Sequence, residues 1–161
     1  MAATATPATA ALARAGVEHT LHGYQHDPSN LHFGLEAVTA LGQDPNQVFK
    51  TLVVALTGGR GPLAVAVVPV ARQLDLKAMA AALGAKKAEL ADQAVAERAT
   101  GYLVGGISPA GQKKALPTVV DASAQRFATI MVSGGRRGLQ VELAPDDLVA
   151  LVRGSYGSIG R

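Results

Sequence analysis

The sequence predicts an α/β domain in which short helices surround a mixed, strongly curved, barrel-like β-sheet. Two observations carry this expectation. Residues 48–59 (VFKTLVVALTGG) and 63–70 (LAVAVVPV) are runs of β-branched and apolar residues joined by a glycine-rich connection, which reads as a hairpin at the centre of the sheet. Around them, strand-like runs are interspersed with short helical patterns bounded by Asp and Gly, with no internal repeat, heptad or charge block. A length of 161 residues fits one domain spanning 1–161, with 1–9 and 154–161 as loose tails.

An Ala/Thr/Pro-rich opening leads into a helix over 7–15, closed by Gly16. Residues 17–24, VEHTLHGY, alternate apolar and polar side chains as a half-exposed strand does, and HDPSN after them is turn chemistry. A helix over 33–41 ends at Gly42. The next strand holds one cation, Lys50, near its start, whereas the continuous apolar run of 63–70 predicts burial on both faces. Asp75 caps a helix running to Leu83, and a second short helix covers 92–99. Residues 102–104 read as the end of a buried strand. Two further strands fall on 117–121 and 129–133, followed by a basic glycine turn at 133–138 and the strand-like LQVEL. The last helix starts near Pro145, with Asp146 and Asp147 in its first turn, where the helix dipole favours them.

Composition narrows the functional classes. Hydrophobic residues make up 48% of the chain and charged ones 17%, so it folds compactly; with 4% aromatics the core is built from Ala, Val and Leu. The absence of cysteine excludes a protein thiol nucleophile, a disulfide framework and a thiolate metal site. No signal-peptide pattern opens the chain and no apolar run approaches the ~20 residues of a membrane span, so a cytoplasmic protein is expected. The net charge of +3 permits a polyanionic partner without defining a dedicated nucleic-acid binder.

The stretch 100–114, TGYLVGGISPAGQKK, reads as a phosphate or carbonyl cradle. Gly105 and Gly106 let a ligand approach main-chain N–H groups, and Ile107, Ser108 and Pro109 complete the turn. A plain tight turn is the alternative. The spacing fits neither a P-loop nor a dinucleotide fingerprint. Lys50 either extends to solvent or is held to bind phosphate or polarise a carbonyl. His19, His22 and His26 are spaced for a helix, but their segment reads as strand and turn, so neither they nor His32 are expected to hold a metal. No G-x-S-x-G elbow occurs and the carboxylates are scattered, which argues against a serine hydrolase and a glycosidase. The pairs Lys113–Lys114 and Arg136–Arg137 are either solvated loop charges or two basic loops at one mouth that receive a phosphate-bearing end.

The runs VFKTLVVAL, LAVAVVPVARQLDLKAMAAALGAKK, TGYLVGGISPAGQKKALPTVVD and ATIMVSGGRRGLQVEL resemble, in order, the YbaK-type Cys-tRNA(Pro) deacylases of the prolyl-tRNA editing-domain superfamily. The resemblance implies a free-standing trans-editing enzyme that removes Cys from mischarged tRNA(Pro), without metal or other cofactor. It implies the acceptor end of aminoacyl-tRNA as substrate and prolyl-tRNA synthetase as partner. Activity in that family depends on the lysine that falls here on Lys50. Tyr24, Phe33, Thr51, Gly105 and Ser133 would surround the aminoacyl-adenosine, and the backbone N–H groups from Gly105 through Gly106 and Ile107 to Ser108 are candidates to hold its carbonyl. The substrate's own thiol would attack the ester and release a thiolactone, with a bound water as the other route. One departure is Gln140, where many members carry Asp. Hydrolysis of Ala-tRNA(Pro) by water, and a non-catalytic module that binds aminoacyl-tRNA or the synthetase, are the alternative readings.

Overall fold

The computed structural model describes residues 4–161. Among the described residues, five α-helices, one 3-10 helix and eight strands follow one another. Helix α1 (Pro7–Arg14) starts at Thr6, whose side chain forms a capping box with Thr9 and whose hydroxyl also donates to the Gly134 carbonyl. Residues 7–9 are therefore helical rather than loose; the first three residues of the expected tail lie outside the described residues.

Strands β1 (His19–Gly23), β6 (Ile130–Ser133) and β7 (Leu139–Leu143) form a three-stranded antiparallel sheet in the order β1-β7-β6. The second sheet, in the order β4-β2-β3-β5-β8, contains β2 (Phe49–Thr57), β3 (Leu63–Pro69), β4 (Lys87–Leu90), β5 (Thr118–Asp121) and β8 (Ser155–Gly157). The β2–β3 hairpin lies near its centre as expected, and the sheet is mixed because β5 runs parallel to both β3 and β8. The expected single barrel-like sheet is instead two sheets. They meet at one corner, where Val48 bridges Met131 and the Met131 N–H donates to the Gln47 carbonyl.

Strand β3 is buried on both faces because each face meets a different core. Val65 and Val67 turn inward between the sheets, against Val120, Val141 and Leu143. Ala64, Ala66 and Val68 pack on the other side with Met79 of α3 (Leu76–Ala82) and with Ile159. A third cluster joins Val53, Ala96 of α4 (Gln93–Thr100), Tyr102, Ile107 and Ala110. Helices α2 (Phe33–Leu41) and α5 (Pro145–Val152) complete the fold.

Three expectations need correction. Residues 102–104 form no strand: Tyr102 is an anchor whose hydroxyl donates to the Ala110 carbonyl at 2.6 Å, with Leu103 left 66% exposed. Strand β4 was not expected, since KAEL exposes its charges at a sheet edge and pairs only with Val54–Thr57. The C-terminal segment is not loose either. Asp121 Oδ1 accepts from the N–H groups of Ile159 and Gly160 at 3.0 and 2.8 Å, and Ile159 is fully buried, which contributes roughly 1.5–3 kcal/mol.

Candidate active site

Strand β2 supplies the floor of the site, and its register explains why. Val48 pairs with Val70 and Leu56 with Pro62 through main-chain hydrogen bonds. Bonding alternates along an antiparallel ladder, so the even-numbered residues of β2 turn their main chain toward β3 and the odd-numbered ones toward β4. Strand β4 reaches only as far as Val54. The Val53 carbonyl is taken by the Ala91 N–H at 2.9 Å, and on that side no described strand pairs with Thr51. A cavity of about 340 Å³ lies along this uncovered edge. Lys50 and Thr51 point to opposite faces of the strand, and both reach the cavity because it wraps the edge.

The walls come from distant parts of the chain. Phe33 and Gly34 open α2, Gln93 and Ala96 come from α4, Val104, Gly105 and Ile107 from the loop after it, and Gln140 from β7. Gly105 has φ +88°, and a Cβ there would stand 2.6 Å from Phe33 Cγ, so only glycine lets the loop press against that ring. At Gly106 a Cβ would meet the Arg136 main chain at 2.7 Å. The Gly106 N–H is spent on the Leu103 carbonyl, whereas those of Gly105 and Ile107 meet no acceptor among the described residues. They are the unmet main-chain donors of this loop among the described residues.

Lys50 is the one charged side chain among the described residues that line this cavity. It makes no hydrogen bond or ion pair with them, and burial pushes its ammonium below the ordinary lysine range. A smaller depression of about 280 Å³, lined also by Leu52, Leu74, Leu76 and Leu90, shares Lys50 with it. Such a cation favours a phosphate or a carbonyl oxygen that gains negative charge. The remaining polar side chains of the cavity are Thr51, Gln93 and Gln140. No Ser, Cys or His side chain stands among its lining residues to act as a nucleophile or base.

The structure brings together Lys50, Thr51, Phe33, Gly105 and Ile107. Tyr24, Gly106, Ser108 and Ser133 are not among the residues that line the cavity. Tyr24 donates its N–H to the Gly138 carbonyl at 2.9 Å; burial, with the nearby Glu36 charge, raises its phenol above the usual value. Ser108 is buried, its Oγ accepting from the Ala110 N–H, and Ser133 Oγ accepts from the Gly135 N–H. The two basic loops part company. Arg137 reaches the glycine loop, its Nε donating to the Val104 carbonyl, while Lys114 lines a separate depression with Pro109, Leu116 and Arg153.

Sequence reasoning missed Glu97. Its carboxylate accepts from the Val104 N–H at 2.8 Å and so fixes the loop from the other side, a contact across seven residues that no local pattern signals. Three of the four histidines have partners elsewhere. His19 contacts the Val17 carbonyl, His22 lies 2.8 Å from Glu142, and His26 lies 2.6 Å from Glu36. Burial opposes ionisation of Glu36, but the His26 ring and the Asp27 N–H outweigh it and hold the carboxyl below its usual range.

The fold is shared with solved structures. One described as a hypothetical protein, APE2540, superposes with a TM-score of 0.84 at 23% identity, covering 97% of this chain and 100% of the other. Another, described as a trans-editing enzyme for prolyl-tRNA synthetase, gives 0.82 at 21% identity over 100% and 99%. They define the fold as an α/β domain of this type. The chain belongs to the family of the aminoacyl-tRNA editing domain, whose model matches residues 34–151. A protein of Enterococcus faecalis named as a Cys-tRNA(Pro)/Cys-tRNA(Cys) deacylase, EbsC, is 42% identical over 137 residues, 84% of this chain and 82% of that protein.

Proposed function

We propose that this protein is a trans-editing deacylase that removes cysteine from mischarged tRNA(Pro). The observation that carries the reading is a small, largely apolar cavity whose single charge is the desolvated Lys50, in a chain of the editing-domain family. An aminoacyl ester is already activated, so a preorganised site can act mainly by holding its carbonyl. The free N–H groups of Gly105 and Ile107 are the donors for the carbonyl oxygen. Lys50 neutralises charge at that oxygen or at the terminal phosphate, and Phe33 closes the mouth. With no Ser, Cys or His side chain in the wall, the cysteine's own thiol attacks the ester carbon. A carbon–sulfur bond forms, the bond from that carbon to the ribose oxygen breaks, the thiol proton passes to that oxygen, and a thiolactone and free tRNA leave. A pocket alone separates Cys poorly from Ala, which lacks a nucleophile, so the chemistry itself supplies discrimination.

The net charge of +3 is small for holding a whole tRNA, so prolyl-tRNA synthetase supplies much of the affinity for the tRNA body, and the two meet in the cytoplasm. The test is deacylation of Cys-tRNA(Pro) beside Ala-tRNA(Pro) by the wild type and Lys50→Ala. Loss of cysteine alone, as thiolactone and abolished in the variant, is the expected result. Release of alanine would instead assign a water-using esterase, and inertness toward both would leave a binding module. Equal tRNA affinity with and without the synthetase would remove it as a partner.

A further inference from the structure

The half-buried Phe33 ring of the cavity wall is held from three sides, and one of the holders is not itself a lining residue. Phe33 is the first residue of α2, and a Cβ at the next residue, Gly34, would stand 2.9 Å from a Val70 methyl, so the start of the helix is pressed onto the residue that follows β3. Gly105 and Arg137 meet the ring on two sides. The third neighbour is His26, whose ring centroid stands 6.0 Å away at an interplanar angle of 43°. That separation lies within the range of attractive aromatic pairs. Since His26 does not line the cavity, it reaches a ligand there through the ring it touches.

Glu36 aims His26. It lies three residues after Phe33 on the first turn of α2, where the two side chains are neighbours. His32 stands at the N-cap of this helix but makes no side-chain cap bond, and Glu36 instead reaches back to the preceding turn. Its Oε2 accepts the Asp27 N–H at 2.8 Å, and its Oε1 lies 2.6 Å from His26 Nδ1. An ionised carboxylate only accepts, so Nδ1 carries the hydrogen and the imidazole is oriented by it. Glu36 is buried, which makes the pair costly to break. The contacts close a circuit from helix to carboxylate, from carboxylate to imidazole, and from imidazole to the phenyl ring on the same helical turn.

We propose that His26, oriented by Glu36, is a positioning residue for the substrate site, where it holds the Phe33 ring against the glycine loop. A clasp that served only to tie the turn over 24–32 to α2 would need a hydrogen-bond donor at residue 26 and no ring. The tied imidazole lies instead beside an aromatic side chain of the cavity wall.

His26→Asn separates the two roles, because its amide nitrogen takes a place close to that of Nδ1 and still donates to Glu36, while the ring is gone. The chain holds three phenylalanines, so with labelled phenylalanine the Phe33 ring is assigned by the signal that Phe33→Leu removes. In the wild type, nuclear Overhauser contacts between the Phe33 ring and the Gly105 α-protons are expected. His26→Asn should lose most of their intensity, with the contacts of Phe49 and Phe127 unchanged and a thermal midpoint close to that of the wild type. Glu36→Gln, which keeps both rings but loosens their aim, should lose less. The kinetic arm rests on the deacylase reading. There kcat/KM for Cys-tRNA(Pro) should fall roughly two- to tenfold in His26→Asn, the range for one aromatic pair, and by no further factor when His26→Asn is added to Phe33→Leu. Undiminished contacts between Phe33 and Gly105 in His26→Asn, or the same kinetic loss with and without the Phe33 ring, overturn the assignment. Absence of turnover in the wild type would remove the deacylase reading and leave the Overhauser contacts to decide the role of His26.

Discussion

The guanidinium carbon of Arg137 stands 4.6 Å from the centroid of the Phe33 ring, while Nε of the same side chain donates to the Val104 carbonyl at 2.9 Å. One residue thus ties the ring at the mouth to the loop that carries the donors. Arg137→Lys keeps the charge but loses the planar face and the fixed Nε–H. The expected cost is about 1–2 kcal/mol, or about tenfold in kcat/KM for deacylation, with little change in thermal midpoint. Full activity in this variant would show that the Phe33 ring is held by other contacts.

Lys50 is half-buried with no counter-charge beside it among the described residues, so its loss should affect activity and stability in opposite directions. Lys50→Met is expected to abolish turnover and to match or exceed the wild type in urea resistance. The sign follows from linkage: the folded pKa is depressed, so the unfolded chain binds more protons between that value and the ordinary ~10.4, and wild-type stability gains from this group as pH rises through that window. The advantage of Lys50→Met should therefore shrink at alkaline pH. A gap that widens there would contradict the desolvated cation.

Asp121 holds in place the segment that follows the last strand. Burial favours its neutral form, yet the Ser123 hydroxyl and the N–H groups of Gly160, Ile159 and Ser123 outweigh burial and hold its carboxyl below the usual range. Its contribution to stability is present above the unfolded value of ~3.9 and is lost as pH falls through the lower folded one. Asp121→Ala is expected to lose about 3 kcal/mol in urea unfolding at neutral pH, and the difference from wild type should narrow in acid. Amide exchange at Ile159 and Gly160 should accelerate in the variant. Unchanged exchange would mean that other contacts hold this segment.

Gly105→Ala places a methyl group against Phe33 at a positive φ. A cost of about 1–3 kcal/mol is expected from the backbone alone. Because the ring must also move, kcat/KM should fall further than the stability loss explains. Near-normal kinetics would show that the close packing of loop and ring is not required for turnover.

The parts legible in the sequence were those whose signal is local. The β2–β3 hairpin declares itself through β-branched runs, and Lys50 through being a charge among them. Helices α2 and α3 are bounded by Gly42 and by Asp75, which caps through its side chain. What escaped depends on contacts between distant segments. The apolar run 102–104 is a loop because the Tyr102 hydroxyl finds Ala110 and the third cluster buries its ring. The segment SYGSIGR looks unstructured until Asp121 meets its N–H groups. In the site, the two basic loops look equivalent, and only tertiary packing sends Arg137 to Val104 and Lys114 elsewhere. Gln140 drew notice through its residue type, but only the folded chain shows its Oε1 buried and unmet among the described residues.

The cavity draws on α2, β2, α4, the glycine loop and β7, so it does not exist until β7 has been made. On the ribosome, a nascent chain that has released the β2–β3 hairpin already displays Lys50, yet has no opposite wall to hold a tRNA end beside it. The growing polypeptide is itself esterified to a tRNA throughout synthesis. A message broken before Leu139 would yield an inert fragment rather than an indiscriminate esterase loose among charged tRNAs.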